Sequence, residues 1–366
     1  MVLPGSHDSG TFNLTLKSAQ PPDAFVGVVA EACRLLRLFG VKINCTDLEM
    51  VAELISFPWA VTQTNNWERQ LSEDGVRSFD YRAYYDKQID GGTWVIEHSL
   101  AGGIHTSVAN ATAEIVSWLD QHPGELIVFE YKVFSGGNET DLVQQLLAGL
   151  QPYGYHWTDG VTIPGNPTIS QMIAAQQRAI IVLANGNQGA GNVTQGISND
   201  WPNSCNNSFI HNYDKAAIGK FAVEQPDAMR KFAWQATAGI ECIVLGVLGV
   251  LANDNGECQR AFGFNCTATL LGLINQLNAE FSFQWVLDAY AAVSPLSSAV
   301  YFGNIWNFDN LDTDLTDIAR LLNAITLANL HRPADTAGAI QPPSISPAKV
   351  LRHAAAAAAL ERPLHV

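Results

Sequence analysis

The chain has 366 residues, more than the usual single core of about 100–200 residues but within reach of one α/β barrel. Hydrophobic residues make up 47% and aromatics 9%, enough apolar surface for a large core, which excludes disorder as the main state. Lys and Arg number 20 against 35 Asp and Glu, and the net charge of −15 argues against nucleic-acid binding and against purely electrostatic docking on anionic lipid.

Short apolar runs alternate with longer amphipathic ones, the pattern of repeated βα units. The chain opens MVLPGSHDSG, in which Pro-Gly turns the backbone and His7-Asp8 ends a very short strand. A helix is predicted over Asp23–Phe39, with Asp23 as N-cap and Gly40 as its stop. Strands follow at Gly75–Tyr84 and Thr93–His98, then a helix over Ser107–Gln121, a strand over Leu126–Phe134 and a helix over Glu139–Leu150. Next come a helix over Ile169–Gln176, a strand over Ala179–Leu183 and a helix over Asp227–Ala238. The apolar run Ile240–Ala252 contains Glu241 and is shorter than the roughly 20 apolar residues a bilayer span needs, so it reads as a buried segment or loop. A helix over Thr267–Ala279, strands over Phe283–Leu287 and Ala299–Phe308, and a helix over Asp314–Leu327 complete the series. Residues 1–330 show neither a fixed repeat nor a dividing linker, whereas the Pro/Ala-rich stretch 331–366 reads as a tail. One α/β barrel with a C-terminal tail is the expected architecture.

Alternation within three of these strands carries a functional signal. Side chains two apart share a face of a sheet, which groups Ser78, Asp80 and Arg82, then Glu130 and Lys132 with Val128, then Asn307 and Asp309. Aromatic and apolar residues take the opposite faces. Polar groups lining the mouth of a barrel, with helices packed outside, account for all three.

The six cysteines show no CxxC spacing, which argues against structural zinc. Disulfides are expected instead, with Cys33–Cys45 and Cys258–Cys266 as the local pairs, although fifteen connectivities are formally open. Seven N-x-S/T sequons, at Asn13, Asn44, Asn110, Asn138, Asn192, Asn206 and Asn265, point to a glycosylated chain in an oxidising compartment. A secreted protein is therefore expected; no signal peptide is visible at the start, so either one was trimmed or the protein is not secreted. The tryptophans read mostly as packing residues. A GxSxG elbow, a P-loop and a GxGxxG turn are all missing.

Five segments in order, PGSHDS, PWAVTQTNNWERQLSEDGVRSFDYR, HSLAGG, LDQHPGELIVFEYK and the stretch Tyr301–Asn323, resemble the phosphatidylinositol-specific phospholipase C X-domain family, including its X-domain-only proteins. The resemblance implies a distorted TIM barrel with its site at the C-terminal ends of the strands. It implies His7 as general base, Asp8 as the acid engaging the catalytic arginine, and Asp80 with Arg82 as the strand-two D-x-R. It also implies His98 as general acid, Lys132 as a strand-end lysine at the substrate, and Asp309 as the carboxylate that orients His7.

These residue types suit the chemistry. Internal transfer at a phosphodiester needs a base for the attacking hydroxyl and an acid for the departing oxygen, and two imidazoles serve both ends. A planar guanidinium matches the non-bridging oxygens, where charge grows. Because Arg82 stands where calcium-dependent relatives place acidic ligands, no cofactor is expected, with Ca²⁺ as the alternative. The expected partner is an inositol-containing phospholipid at a membrane interface, met by a monomer; the products are diacylglycerol and a cyclic inositol phosphate.

The resemblance thins between residues 136 and 300. The family grips its ring with a basic residue where Asn185 stands, and with an acid and a tyrosine for which His211 or Asp214 and Tyr213 are the candidates. Two other readings stay open: an X-domain scaffold that binds a head group without turnover, and a metal-dependent glycerophosphodiesterase-like barrel using Asp47 and Glu49.

Overall fold

The computed structural model describes residues 3–14, 25–46, 57–89, 91–98, 100–101, 104–157, 168–185, 197–223, 229–237, 240–267, 269–281, 285–286, 288, 305–308, 318–319 and 323. Among the described residues there are ten strands: β1 (Leu3–Ser6), β2 (Ser78–Asp86), β3 (Thr93–His98), β4 (Leu100–Ala101), β5 (Ile127–Ser135), β6 (Gly154–Trp157), β7 (Ala179–Asn185), β8 (Ile197–Asp200), β9 (Met229–Trp234) and β10 (Ile305–Phe308). The sheet order is β1-β10-β9-β8-β7-β5-β2-β3-β4, and β1 also pairs with β2. Every pairing on the path from β1 through β10, β9, β8, β7 and β5 to β2 is parallel, as is the β1–β2 pairing that completes the circuit. This is a distorted α/β barrel. β3 lies outside the circuit, antiparallel to β2, and β6 flanks β7.

Period-two alternation divides the strand side chains between two cores. Phe79, Tyr81, Phe129, Tyr131, Phe232 and Trp234 face outward into the large core shared with the helices. Leu3, Val128, Ile180 and Val182 face inward, joined by Trp157 and Met172, and form a small apolar floor. The register sets Ser78 beside Val128, Asp80 beside Glu130, and Arg82 beside Lys132. The polar residues therefore stack above that floor, toward the C-terminal ends of the strands.

Local signals place the helices. Ser107 caps Val108–Gln121 by accepting from Asn110 N, and Asn138 caps Glu139–Gly149 by accepting from Asp141 N. The helix Phe25–Leu38 stops at Gly40, whose φ of +85° favours glycine. Asp23, its expected N-cap, lies outside the described residues. The helices Ile169–Ala174 and Leu270–Glu280 also match their sequence patterns.

Two expectations are corrected. Within Asp227–Ala238, the described residues 229–237 do not form a helix; Met229–Trp234 is β9, because Phe232, Trp234 and Ala236 all turn to the outer core at strand spacing. Within Phe283–Leu287, Trp285 and Val286 are helical rather than extended. The ring centroids of Phe281 and Trp285 lie 5.5 Å apart. The run Ile240–Ala252 is a helix of 13 residues, about 20 Å long and so shorter than the roughly 30 Å hydrocarbon layer. Among the described residues, no helix is long and apolar enough to cross a membrane. Helix Asn207–Val223 had no counterpart in the sequence pattern. Residues 299–304, most of Asp314–Leu327 and the tail 331–366 lie outside the described residues.

Disulfides join Cys33 to Cys45 and Cys258 to Cys266, as their spacing suggested, and Cys205 to Cys242. The last of these ties the segment entering helix Asn207–Val223 to the helix Ile240–Ala252.

Candidate active site

The site starts from the turn after β1. His7 N donates to Phe308 O at 2.9 Å, so the end of β1 is held against the end of β10. Ser9 then bridges to β2: its N–H donates to Asp80 O at 3.0 Å, and its Oγ accepts from Asp80 N at 2.9 Å. Asp8, between them, adopts φ +46°, a left-handed conformation that aspartate tolerates better than most residues. Gly10 follows, and a Cβ there would stand 3.0 Å from the Ile96 side chain.

A second segment clamps this turn. Gln63 Nε2 donates to His7 O at 2.9 Å and to Phe308 O at 3.1 Å, Thr62 Oγ1 donates to His7 O at 3.2 Å, and Gln70 Nε2 donates to Ser9 O at 2.8 Å. The carbonyls of a buried turn have no ladder partners, so these side chains supply them. The PWAVTQTNNWERQ stretch is thereby a structural clamp on the HDSG turn.

The side chains converge above it. Arg82 Nε lies 2.5 Å from Asp8 Oδ1, and Arg82 Nη2 donates to His7 Nε2. Asp8 Oδ2 stands 3.3 Å from His7 Nε2 and 3.3 Å from His98 Nε2, and the two imidazole centroids are 6.2 Å apart. His98 Nδ1 donates to Ala60 O at 2.5 Å. His98 therefore faces a carbonyl through one ring nitrogen and a carboxyl through the other. His7 has the opposite arrangement, since its Nε2 receives a guanidinium N–H and so serves as an acceptor.

A buried layer supports these groups from below. Lys231 Nζ on β9 reaches Glu130 Oε2 at 2.6 Å and Asp80 Oδ2 at 3.7 Å, while Ser78 Oγ donates to Glu130 Oε1 at 2.8 Å. Asp80 Oδ2 in turn lies 3.7 Å from Arg82 Nη2 and 3.8 Å from His7 Nε2.

Burial and neighbouring charge separate the titrations. Burial, then Arg82, His98 and Lys231, hold His7 well below the ordinary histidine range. For Asp8, burial raises the carboxyl and prevails over the pull of Arg82 and His98. Asp80 is raised by burial but pulled down further by Lys231, Arg82 and Lys132, so it sits below the ordinary carboxylate range. Lys132 is lowered, by burial first and then by Arg82.

Of the residues singled out in the sequence, His7, Asp8, Asp80, Arg82 and His98 come together, and Lys132 lies beside Arg82 in the register of β5 against β2. Asp309 follows Phe308 directly but lies outside the described residues, as do Asp47 and Glu49. Asn185 ends β7. Tyr213 is on the helix Asn207–Val223, its ring 6.2 Å from Phe209, and His211 on the same helix packs against Trp234 and Trp285. That helix covers the outer wall of β9, so its residues stand apart from the group around His7. Lys231, Gln63 and the Ala60 carbonyl carry the site without having been anticipated. Lys231 alternates with Phe232 and Trp234 as a strand residue does, although the surrounding residues favour a helix.

Among the described residues, His7, Asp8 and Asp80 bring three ligand-type atoms within 4.8 Å of one another. They do not fit a calcium ion, which takes six to eight oxygens. Arg82 occupies the Asp8 carboxyl, and Lys231 and Arg82 flank Asp80, so cations already border both acids.

No family model matches the chain. PI-PLC X domain-containing protein 1 of Homo sapiens is 28% identical over 193 residues, which are 50% of this chain and 50% of that protein. PI-PLC X domain-containing protein 2 of Homo sapiens is 31% identical over 140 residues, 38% of this chain and 40% of that protein. The chain thus spans about half or less of the length of these curated relatives. A solved phosphatidylinositol-specific phospholipase C from Staphylococcus aureus superposes with a TM-score of 0.49 at 13% identity, covering 87% of this chain and 90% of that one. In sequence, the chain resembles the PI-PLC X-domain family that its motifs suggested.

Proposed function

We propose that this chain is a metal-independent phosphodiesterase of the phosphatidylinositol-specific phospholipase C type, and that residues 1–330 form its catalytic domain. One observation carries the reading: His7, Arg82 and His98 all meet the Asp8 carboxyl, at 3.3, 2.5 and 3.3 Å. Two imidazoles in opposite hydrogen-bonding states flanking one guanidinium are the parts an in-line phosphoryl displacement needs.

His7 Nε2 takes the proton from the inositol 2-hydroxyl as its oxygen bonds to phosphorus. His98 gives its Nε2 proton to the glycerol oxygen as that P–O bond breaks, and the products are diacylglycerol and a 1,2-cyclic inositol phosphate. Arg82 neutralises the charge that grows on the non-bridging oxygens, with Lys132 as the strand-end cation beside it. Asp8 spans Arg82 and His98 and keeps both turned toward the phosphate, while Asp309 orients His7. General acid and base contribute about 10²–10⁴-fold each.

The substrate is met at a membrane interface through its lipid rather than through charge, in keeping with the net charge of −15, and the chain acts as a monomer. Three disulfides and seven sequons support a secreted protein. Tyr213 stands on the outer helix, so the expected grip on the ring is weak, and this keeps a second reading, an X-domain scaffold without turnover.

Incubation with phosphatidylinositol micelles, with and without chelator, decides between them when cyclic inositol phosphate is followed by phosphorus NMR. The expected outcome is turnover that ignores chelator and falls by several orders of magnitude in His7→Ala and in His98→Ala. Head-group binding with no product supports the scaffold, and activity restored only by Ca²⁺ removes the metal-independent mechanism.

A further inference from the structure

We propose that Lys231 is a positioning residue for this site: anchored on Glu130, its ammonium fixes Asp80 beneath Arg82 and His7. The inference rests on the acid–base reading of the site and extends it to a residue on a different strand.

Lys231 is 1% exposed and lies across the barrel interior from its partners, so it touches no substrate. Its Nζ is 2.6 Å from Glu130 Oε2, and Ser78 Oγ holds the other carboxyl oxygen at 2.8 Å. This pair is wholly buried. Buried ion pairs contribute little to stability, and apolar residues of similar volume often serve folding as well. What the pair does supply is a fixed cation 3.7 Å from Asp80 Oδ2.

Asp80 is the hinge of the arrangement. The same oxygen faces Arg82 Nη2 at 3.7 Å and His7 Nε2 at 3.8 Å. The charged and titratable groups around it are His7 and Asp8 after β1, Arg82 on β2, His98 on β3, Glu130 and Lys132 on β5, and Lys231 on β9. Burial favours the neutral carboxyl, and Lys231 leads the cations that oppose it. Without that cation, Asp80 takes up a proton at a higher pH, and Arg82 loses one of the two carboxylates that aim it.

Lys231→Met alone would leave Glu130 as an uncompensated buried charge and unfold the protein, so the pair is replaced together as Glu130→Gln/Lys231→Met. This variant, with and without Asp80→Asn, is assayed on phosphatidylinositol micelles across pH. The expected result is a kcat about 10- to 100-fold lower with KM little changed, an acid limb moved to higher pH, and no further loss when Asp80→Asn is already present. Carbon-13 NMR of Asp80 should show its titration moved upward, a readout that needs no turnover. If the chain were a scaffold, the rate data would vanish but the carboxyl shift would remain. Equal losses with and without Asp80→Asn, or an unmoved Asp80 titration, would overturn the proposal.

Discussion

Arg82→Lys separates charge from shape at the centre of the site. The guanidinium meets three groups from two of its nitrogens: Nε faces Asp8 Oδ1 at 2.5 Å, while Nη2 donates to His7 and faces Asp80 Oδ2 at 3.7 Å. A lysine Nζ is a single point on a flexible stem, so it keeps the charge but can satisfy only one of these directions at a time. Loss of one preorganised donor at a developing oxyanion costs about 10²–10³-fold, or about 2.7–4 kcal/mol of transition-state stabilisation. The retained charge keeps Asp8 compensated, so thermal unfolding followed by circular dichroism should stay close to that of the parent. Initial rates on phosphatidylinositol micelles read the loss, which should fall mainly in kcat. A variant that folds normally and keeps more than about a third of the parent rate would show that forked geometry is not required, against the role given to Arg82.

Further outcomes follow from burial and capping. His7 is held below its ordinary range, by burial first and then by Arg82, and it works as a base; kcat/KM should therefore hold as pH falls through about 6.5 and decline only at lower pH. The same shift destabilises the fold on acidification, because below about pH 6.5 the unfolded chain binds a proton that the folded His7 refuses. Urea titrations should show the parent losing stability relative to His7→Gln as pH drops beneath that value. Ser107→Ala removes the cap of helix Val108–Gln121 and should cost about 1 kcal/mol in urea unfolding. Trp67→Ala, which empties a fully buried ring stacked edge-on against Phe79 at 5.5 Å, should cost about 3–5 kcal/mol.

The site was legible where chemistry follows a short local pattern. Asp80 and Arg82, or Glu130 and Lys132, stand two apart on a strand, and alternation alone assigns them one face. His98 closes β3 at the boundary its sequence indicated. The strand signal at Lys231 is outweighed in the sequence, because Met229, Arg230, Lys231 and Ala233 are good helix formers and the strand is decided by where Phe232 and Trp234 pack. Tyr213 and His211 sit in a polar-looking run, yet the helix that contains them is defined by its buried face, Ile210, Asp214, Ala217 and Ile218. The clamp of Gln63 and Gln70 on turn carbonyls spans more than fifty residues of sequence, a tertiary need that no local pattern announces.

Oxygen-18 water tests most directly whether His7 activates the substrate's own hydroxyl. With phosphatidylinositol as substrate and mass spectrometry of the first inositol phosphate released, internal transfer predicts a cyclic product free of solvent oxygen. A first product that already carries one heavy oxygen would mean that water is the nucleophile, and the assignment of His7 and His98 to the two ends of an internal displacement would be wrong.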